Sequence, residues 1–356
     1  MKVSTIALAA VATASGGALG FEKYVLAGSS AAETTSFVNY VISQPVQGKG
    51  AIVCTGAFLS PTVLVTSAKC VTDAVSNKAL AVANILVGQG DPADTLKNIT
   101  TNGAIDPQKV AGSGYVSPLA VFSHPGYNSI AYTDNIAVLT LAQPMAGATS
   151  TKLIVNPSVN TGAAYTALGL GLSASTPSGN PPSVLQQVSL KVGNNATCSG
   201  IWAPYAKLTN SLCLTPAKAA SNVCGSDALL IKAGADKSVG LAGLLNIVAA
   251  KGDVPTAQCD VEGAADYFTT FANYVAWMTQ ITSLKQSDFV SSATYDYASS
   301  GSSGQESSSS SQSSSQSASN SGSQTSTESS RPNSVAGLSA VGSLAMFASV
   351  LVVSMF

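Results

Sequence analysis

From residue 40 onward the chain alternates short apolar runs with polar, turn-forming clusters. The runs cover residues 40–42, 63–66, 81–87, 119–122, 136–141, 185–192, 229–232 and 241–248, with Gly, Pro, Asn and Ser between them. Runs of this length, bounded by turn signals, predict strands packed in an all-β barrel or sandwich. One helix is expected after them, because Tyr274, Trp277, Met278 and Ile281 recur at helical spacing. The small residues that follow Cys54 read as a turn ahead of the strand at 63–66.

Both ends depart from this pattern. Lys2 precedes an apolar run over residues 6–14 and then small residues, the layout of a secretory signal peptide over residues 1–20. From about residue 291 to 330 the chain is mostly Ser with Gln, Thr, Gly and Ala. Such a segment cannot bury enough apolar surface to offset its ordering entropy, so a disordered stalk is expected over 284–334. Residues 335–356 are apolar or small almost throughout. Preceded by the small residues Asn320, Ser321 and Gly322 and a polar spacer, they read as a GPI-anchor signal with Asn320 as the attachment point; a retained transmembrane segment is the alternative.

Composition narrows the function classes. Charged residues are 9% of the chain and the formal net charge is −1, against roughly 25% charged residues in ordinary domains. That leaves no basic field for nucleic acid or an anionic surface, and membrane contact is expected only through the C-terminal anchor. No cofactor is expected. The six cysteines all lie between Cys54 and Cys259, an even count that suits an oxidising compartment and three disulfides. Asn98-Ile99-Thr100 and Asn195-Ala196-Thr197 are N-glycosylation sequons, each expected on a surface loop.

Five blocks in order carry a resemblance. They are the stretch around Cys54; the strand ending on Ala68-Lys69-Cys70; Asp134-Asn135-Ile136-Ala137; Cys224-Gly225-Ser226-Asp227-Ala228; and the run from Phe271 to Met278. Over residues 25–283 this order resembles the chymotrypsin/trypsin-like serine proteases. The resemblance implies two six-stranded antiparallel β-barrels with a C-terminal helix, and the disulfides Cys54–Cys70, Cys198–Cys213 and Cys224–Cys259.

It also locates the chemistry, which needs a hydroxyl nucleophile, an imidazole base, an orienting carboxylate and backbone donors for the oxyanion. By resemblance the histidine place holds Lys69, the carboxylate place Asn135 and the nucleophile place Ala228. The triad is therefore read as degenerate, with no catalytic residue. Asp134 stands one position early, and a slip of one residue turns a strand side chain to the other face. A lysine ammonium, ordinarily titrating at about 10.4, is no base at neutral pH without strong desolvation. The pocket positions are likewise altered, to Asn222, Asn246 and Val248, and Leu229 and Leu230 stand where turn glycines are expected. His124, the only histidine, sits beside Pro125 and Gly126 and reads as a turn residue. The sequence from Val25 resembles the N-terminus that such enzymes free on activation and bury against the aspartate matching Asp227, but a tyrosine precedes it.

Three functions follow as expectations. The first is an inactive homologue, secreted or anchored at the cell surface, that works by binding an extracellular protein. It is similar to the glucanase-inhibitor proteins of oomycete plant pathogens, which bind host β-1,3-glucanases. The second is a hydrolase with a non-standard site built from Lys69 and Ser226. The third is a structural or adhesive cell-wall protein whose stalk is the working part.

Overall fold

The computed structural model describes residues 29–30, 36–44, 51–101, 104–170, 185–217, 223, 227–234, 238–251, 254–255 and 263–292. The proposed signal peptide, Val25, Asn222, Cys224, Ser226, Cys259, Asn320 and the C-terminal apolar stretch lie outside them. Two antiparallel β-sheets dominate.

The first sheet runs in the order Tyr115–Val116, Ile85–Gly88, Val38–Ser43, Ile52–Ser60, Val63–Thr66, Ala137–Thr140, Ala120–Ser123. Its central strands, Val38–Ser43, Ile52–Ser60 and Val63–Thr66, are buried on both faces. Along Val38–Ser43, Val38, Tyr40 and Ile42 enter the main core, while Val41 enters a second cluster with Phe58 and Leu64. Alternate residues of a strand point to opposite faces, so a sheet buried on both sides needs apolar residues at both parities.

The second sheet closes on itself. Gln186–Val192, Ala164–Gly169, Leu229–Ala233, Val239–Ala250, Ala265–Thr269 and Ser211–Pro216 pair in that order, and the last pairs back to the first. Six strands make a ring. The first sheet has seven strands in an open path among the described residues, a half-barrel beside a closed barrel. The all-β expectation and the trypsin-like architecture hold.

The chain between the sheets stitches them. The N–H of Thr151 donates to the carbonyl of Phe58 at 2.8 Å, and that of Ile154 donates to Leu241 at 2.7 Å. The main core continues across, joining Ile42 and Val65 of the first sheet with Leu229, Leu241 and Leu244 of the second. Met278 and Tyr274, from the helix Val275–Thr282 and the 3-10 turn before it, pack into the same core.

Several local expectations are corrected. The small residues after Cys54 form no turn: they lie inside the nine-residue strand Ile52–Ser60. Gly56 is there for close approach, since a Cβ would come within 2.5 Å of the Leu64 side chain. The run at 81–87 divides into a 3-10 turn at Val82–Asn84 and the strand Ile85–Gly88. Neither sequon lies in a loop: Asn98 is in the last turn of the helix Pro92–Ile99, and Asn195 opens the helix Asn195–Ile201, both exposed.

The packed chain also continues past residue 283, where the stalk was expected to begin. Gln286–Phe289 forms a helical turn, Phe289 is fully buried in the main core, and the N–H of Ser291 donates to Leu153 at 2.9 Å. An aromatic ring in a run of polar residues gave no helical period to read. Phe289→Ala is expected to cost about 3–5 kcal/mol, measured as a lowered denaturant midpoint. A neutral result would place 284–292 outside the cooperative fold. Among the described residues no helix is long and apolar enough to cross a membrane.

Candidate functional site

Lys69 lies in the 3-10 turn Ala68–Cys70 that follows the strand Val63–Thr66. The disulfide from Cys70 to Cys54 ties that turn to the neighbouring strand. The turn faces the seam, where the second sheet brings Val239–Ala250 alongside. Lys69 Nζ donates to the carbonyl of Leu245 at 2.8 Å and to that of Asn246 at 2.9 Å. Two of its three donors are therefore engaged by the backbone of the other barrel.

Asn135 is fully buried and completes the arrangement. Its Oδ1 accepts from the Lys69 backbone N–H at 3.0 Å, and its Nδ2 donates to the carbonyl of Leu245 at 3.1 Å. An aspartate could repeat the first contact but not the second, because an ionised carboxylate has no donor. Ala228 joins the same strand, its carbonyl accepting from the Leu245 N–H at 2.8 Å. The three positions that sequence reasoning assigned to a degenerate triad thus converge on one backbone residue, Leu245.

The strand is shaped for this. Leu245 pairs with Phe268 and Ile247 with Tyr267, which leaves Asn246 as the extra residue of a β-bulge. A bulge re-aims the backbone locally; here the Asn246 carbonyl accepts from Lys69, and its amide donates to the carbonyl of Tyr132 at 2.6 Å. Val248 is 2% exposed and packs in the core of the closed barrel. Leu229 and Leu230, which stand where turn glycines were expected, form no turn. They are strand residues whose alternation sends Leu229 to the main core and Leu230 to the barrel core.

Asp227, beside Ala228, is 1% exposed. Its Oδ2 accepts from the N–H and the hydroxyl of Thr55, each at 2.5 Å, and its Oδ1 accepts from the Ser67 hydroxyl at 2.7 Å. Burial raises its pKa, and the Lys69 charge and the hydrogen bonds from Thr55 and Ser67 act against that rise. The carboxylate expected to receive a freed N-terminus is thus held by donors of the first sheet. Thr55 and Ser67 flank Cys54 and Lys69 in sequence, and no motif announced their role. Asp227 also lies near the sulfurs of Cys54 and Cys70, but their disulfide leaves them no thiolate to bind a metal.

Asp134 is elsewhere. Its Oδ1 accepts from the Tyr274 hydroxyl at 2.7 Å and from Asn210 at 3.2 Å, and its backbone is left-handed with φ of 51°. His124 is a turn residue whose Nδ1 accepts from the Gly126 N–H at 3.2 Å. Its ring meets Tyr274 and Trp277 edge-on, with centroids 5.0 Å away in each case. Burial lowers its pKa and Asp134 opposes the shift.

Sequence reasoning also missed Asp266, a fully buried acid on the strand Ala265–Thr269. Its Oδ2 accepts from the Val223 N–H at 3.3 Å, and its Oδ1 has no partner among the described residues. Of the expected disulfides, Cys54–Cys70 and Cys198–Cys213 are formed; Cys224–Cys259 lies outside the described residues.

Comparison with known families adds one finding. The family model described as Trypsin matches residues 27–228, more than half of the chain. No curated protein matches.

Proposed function

The chain belongs to the trypsin family, and from that premise we propose that it has lost the chemistry of that family and works by binding another protein outside the cell. The observation that carries this reading is the state of Lys69. A general base must offer a lone pair toward the group it activates, whereas this side chain donates to the carbonyls of Leu245 and Asn246. The residue that would carry the attacking oxygen is Ala228, which has no nucleophile and is fully buried.

The remaining features favour a scaffold kept for its surface. The disulfides, the continuous core and the engaged carboxylate of Asp227 all stabilise the two-barrel fold without needing a reaction. Secretion, glycosylation at Asn98 and Asn195, and a surface anchor at Asn320 fit the same role, with a decoy or inhibitor of an extracellular enzyme as the specific form. A host glucanase is the partner that the resemblance to glucanase inhibitors suggests.

The test is direct. The full secreted protein, treated with a fluorophosphonate probe and a broad peptide library, is expected to show neither labelling nor cleavage. Labelling that disappears in Ser226→Ala would overturn the reading in favour of a hydrolase with a non-standard nucleophile.

A further inference from the structure

Both sequons are folded into helices, and different contacts close them. Transfer of an N-linked sugar needs the asparagine amide and the hydroxyl two positions on together at one acceptor site, which a surface loop allows. Side chains at i and i+2 of an α-helix do not face each other. Asn195 and Thr197 both lie in the helix Asn195–Ile201 and are both exposed, so the folded chain presents them to solvent but apart.

This helix is locked from several sides. Asn194 caps it, its side chain accepting from the Ala196 N–H at 2.8 Å. Cys198, the residue after the sequon, is fully buried and bonded to Cys213, and its carbonyl accepts from the Tyr267 hydroxyl at 2.8 Å. The Tyr205 hydroxyl reaches the Asn195 side chain itself, donating to Oδ1 at 3.4 Å. Asn98 is closed differently. The Thr100 hydroxyl donates to the carbonyl of Leu96 at 2.7 Å, and the helix Pro92–Ile99 is held by Leu96 and Ile99 in the main core. Neither described disulfide reaches it. A helix of eight residues is marginal by itself, so this sequon stays pliable until the core has formed.

We propose that closure of the Cys198–Cys213 disulfide ends the modification of Asn195, so that oxidation and glycosylation compete for this segment, while Asn98 escapes that competition. The proposal rests on the reading that the chain is secreted and glycosylated. The transfer joins Asn195 Nδ2 to the anomeric carbon of an oligosaccharide, breaks the bond from that carbon to a lipid pyrophosphate, which departs, and releases one amide proton. Cys213 follows Cys198 by only 15 residues, and a loop this short costs little entropy to close. Sugar must therefore arrive at Asn195 before that closure.

The experiment expresses the full chain in a eukaryotic secretory cell and reads occupancy of both sequons by peptide mass spectrometry of the total lysate, so that a variant that fails to fold is still counted. In the parent, Asn98 is expected to be occupied more fully than Asn195. Cys213→Ser leaves the sequon and its flanks untouched and is expected to raise Asn195 to the level of Asn98; dithiothreitol added during synthesis should do the same in the parent. The control, Cys54→Ser with Cys70→Ser, removes the other disulfide and should leave Asn195 as in the parent. Equal occupancy of Asn195 in the parent and in Cys213→Ser would overturn the proposal and leave glycosylation standing, as would an equal rise in the control. Sugar at neither asparagine in any of these proteins would overturn the glycosylation reading itself, and the proposal with it.

Discussion

Asp227→Ala is expected to destabilise the domain by about 3–5 kcal/mol, the range for removing one partner from a buried charged network. The substitution takes away the acceptor of three donors at once: the Thr55 N–H, the Thr55 hydroxyl and the Ser67 hydroxyl. Buried donors left without acceptors retain their desolvation penalty and gain nothing in return. It also withdraws the negative charge that acts on Lys69, at the place where Lys69 joins the two barrels. Asp227→Asn should fall between alanine and the parent, because one of its two polar atoms can still accept while the other presents N–H groups to existing donors. Urea midpoints of the three proteins order these effects. A loss below about 1 kcal/mol for the alanine variant, the ordinary size of a point substitution, would mean that Thr55 and Ser67 find other partners.

The second large effect concerns pH. Burial raises the pKa of Asp266 well above its ordinary value, and the Val223 N–H only partly offsets this. The folded state therefore holds the proton more tightly than the unfolded chain, in which the group titrates near 3.9. Stability from this group is fully present below that unfolded value and is lost as pH rises through the folded one. Asp266→Asn removes the titration. Its stability relative to the parent is expected to improve steadily as pH rises from 4. Urea unfolding of both proteins from pH 4 to 9 gives the difference curve. A difference independent of pH would show that the carboxyl has an ordinary pKa in the folded state.

Buried acids of this kind are where sequence reading stops. Asp227 was visible as a residue beside Ala228, but its three donors come from positions 55 and 67, about 160 residues or more away in the chain. Asp266 sits in a run, Ala265–Thr269, that gave no strand signal; one charge among apolar neighbours breaks the alternation on which such a signal depends. The strands Ala164–Gly169 and Ser211–Pro216 went unread for a related reason, because Ala, Gly, Ser and Thr carry little periodic contrast.

At the seam the sequence supplied identities without contacts. It identified Lys69, Asn135 and Ala228 as positions of interest, by their place next to Cys70, Ile136 and Asp227. That all three meet at Leu245 could not be read, because the contact atoms are the backbone N–H and carbonyl of Leu245, which are the same for every residue type but proline. The bulge at Asn246 is equally silent in sequence, since it arises from a register shift between two strands.

By itself the sequence determined the class of the fold and the position of most strands, and the resemblance that its motifs carry supplied the family and two of the disulfide pairings. The first two follow from apolar spacing, which local chemistry governs, and the others from the five sequence blocks in their order. Only the tertiary structure decided what Lys69, Asn135 and Asp227 contact: they pack as donors and acceptors across the seam of two barrels. That outcome depends on which backbone groups distant strands present to one another, and the pairing of strands, not the side chains in order, sets it.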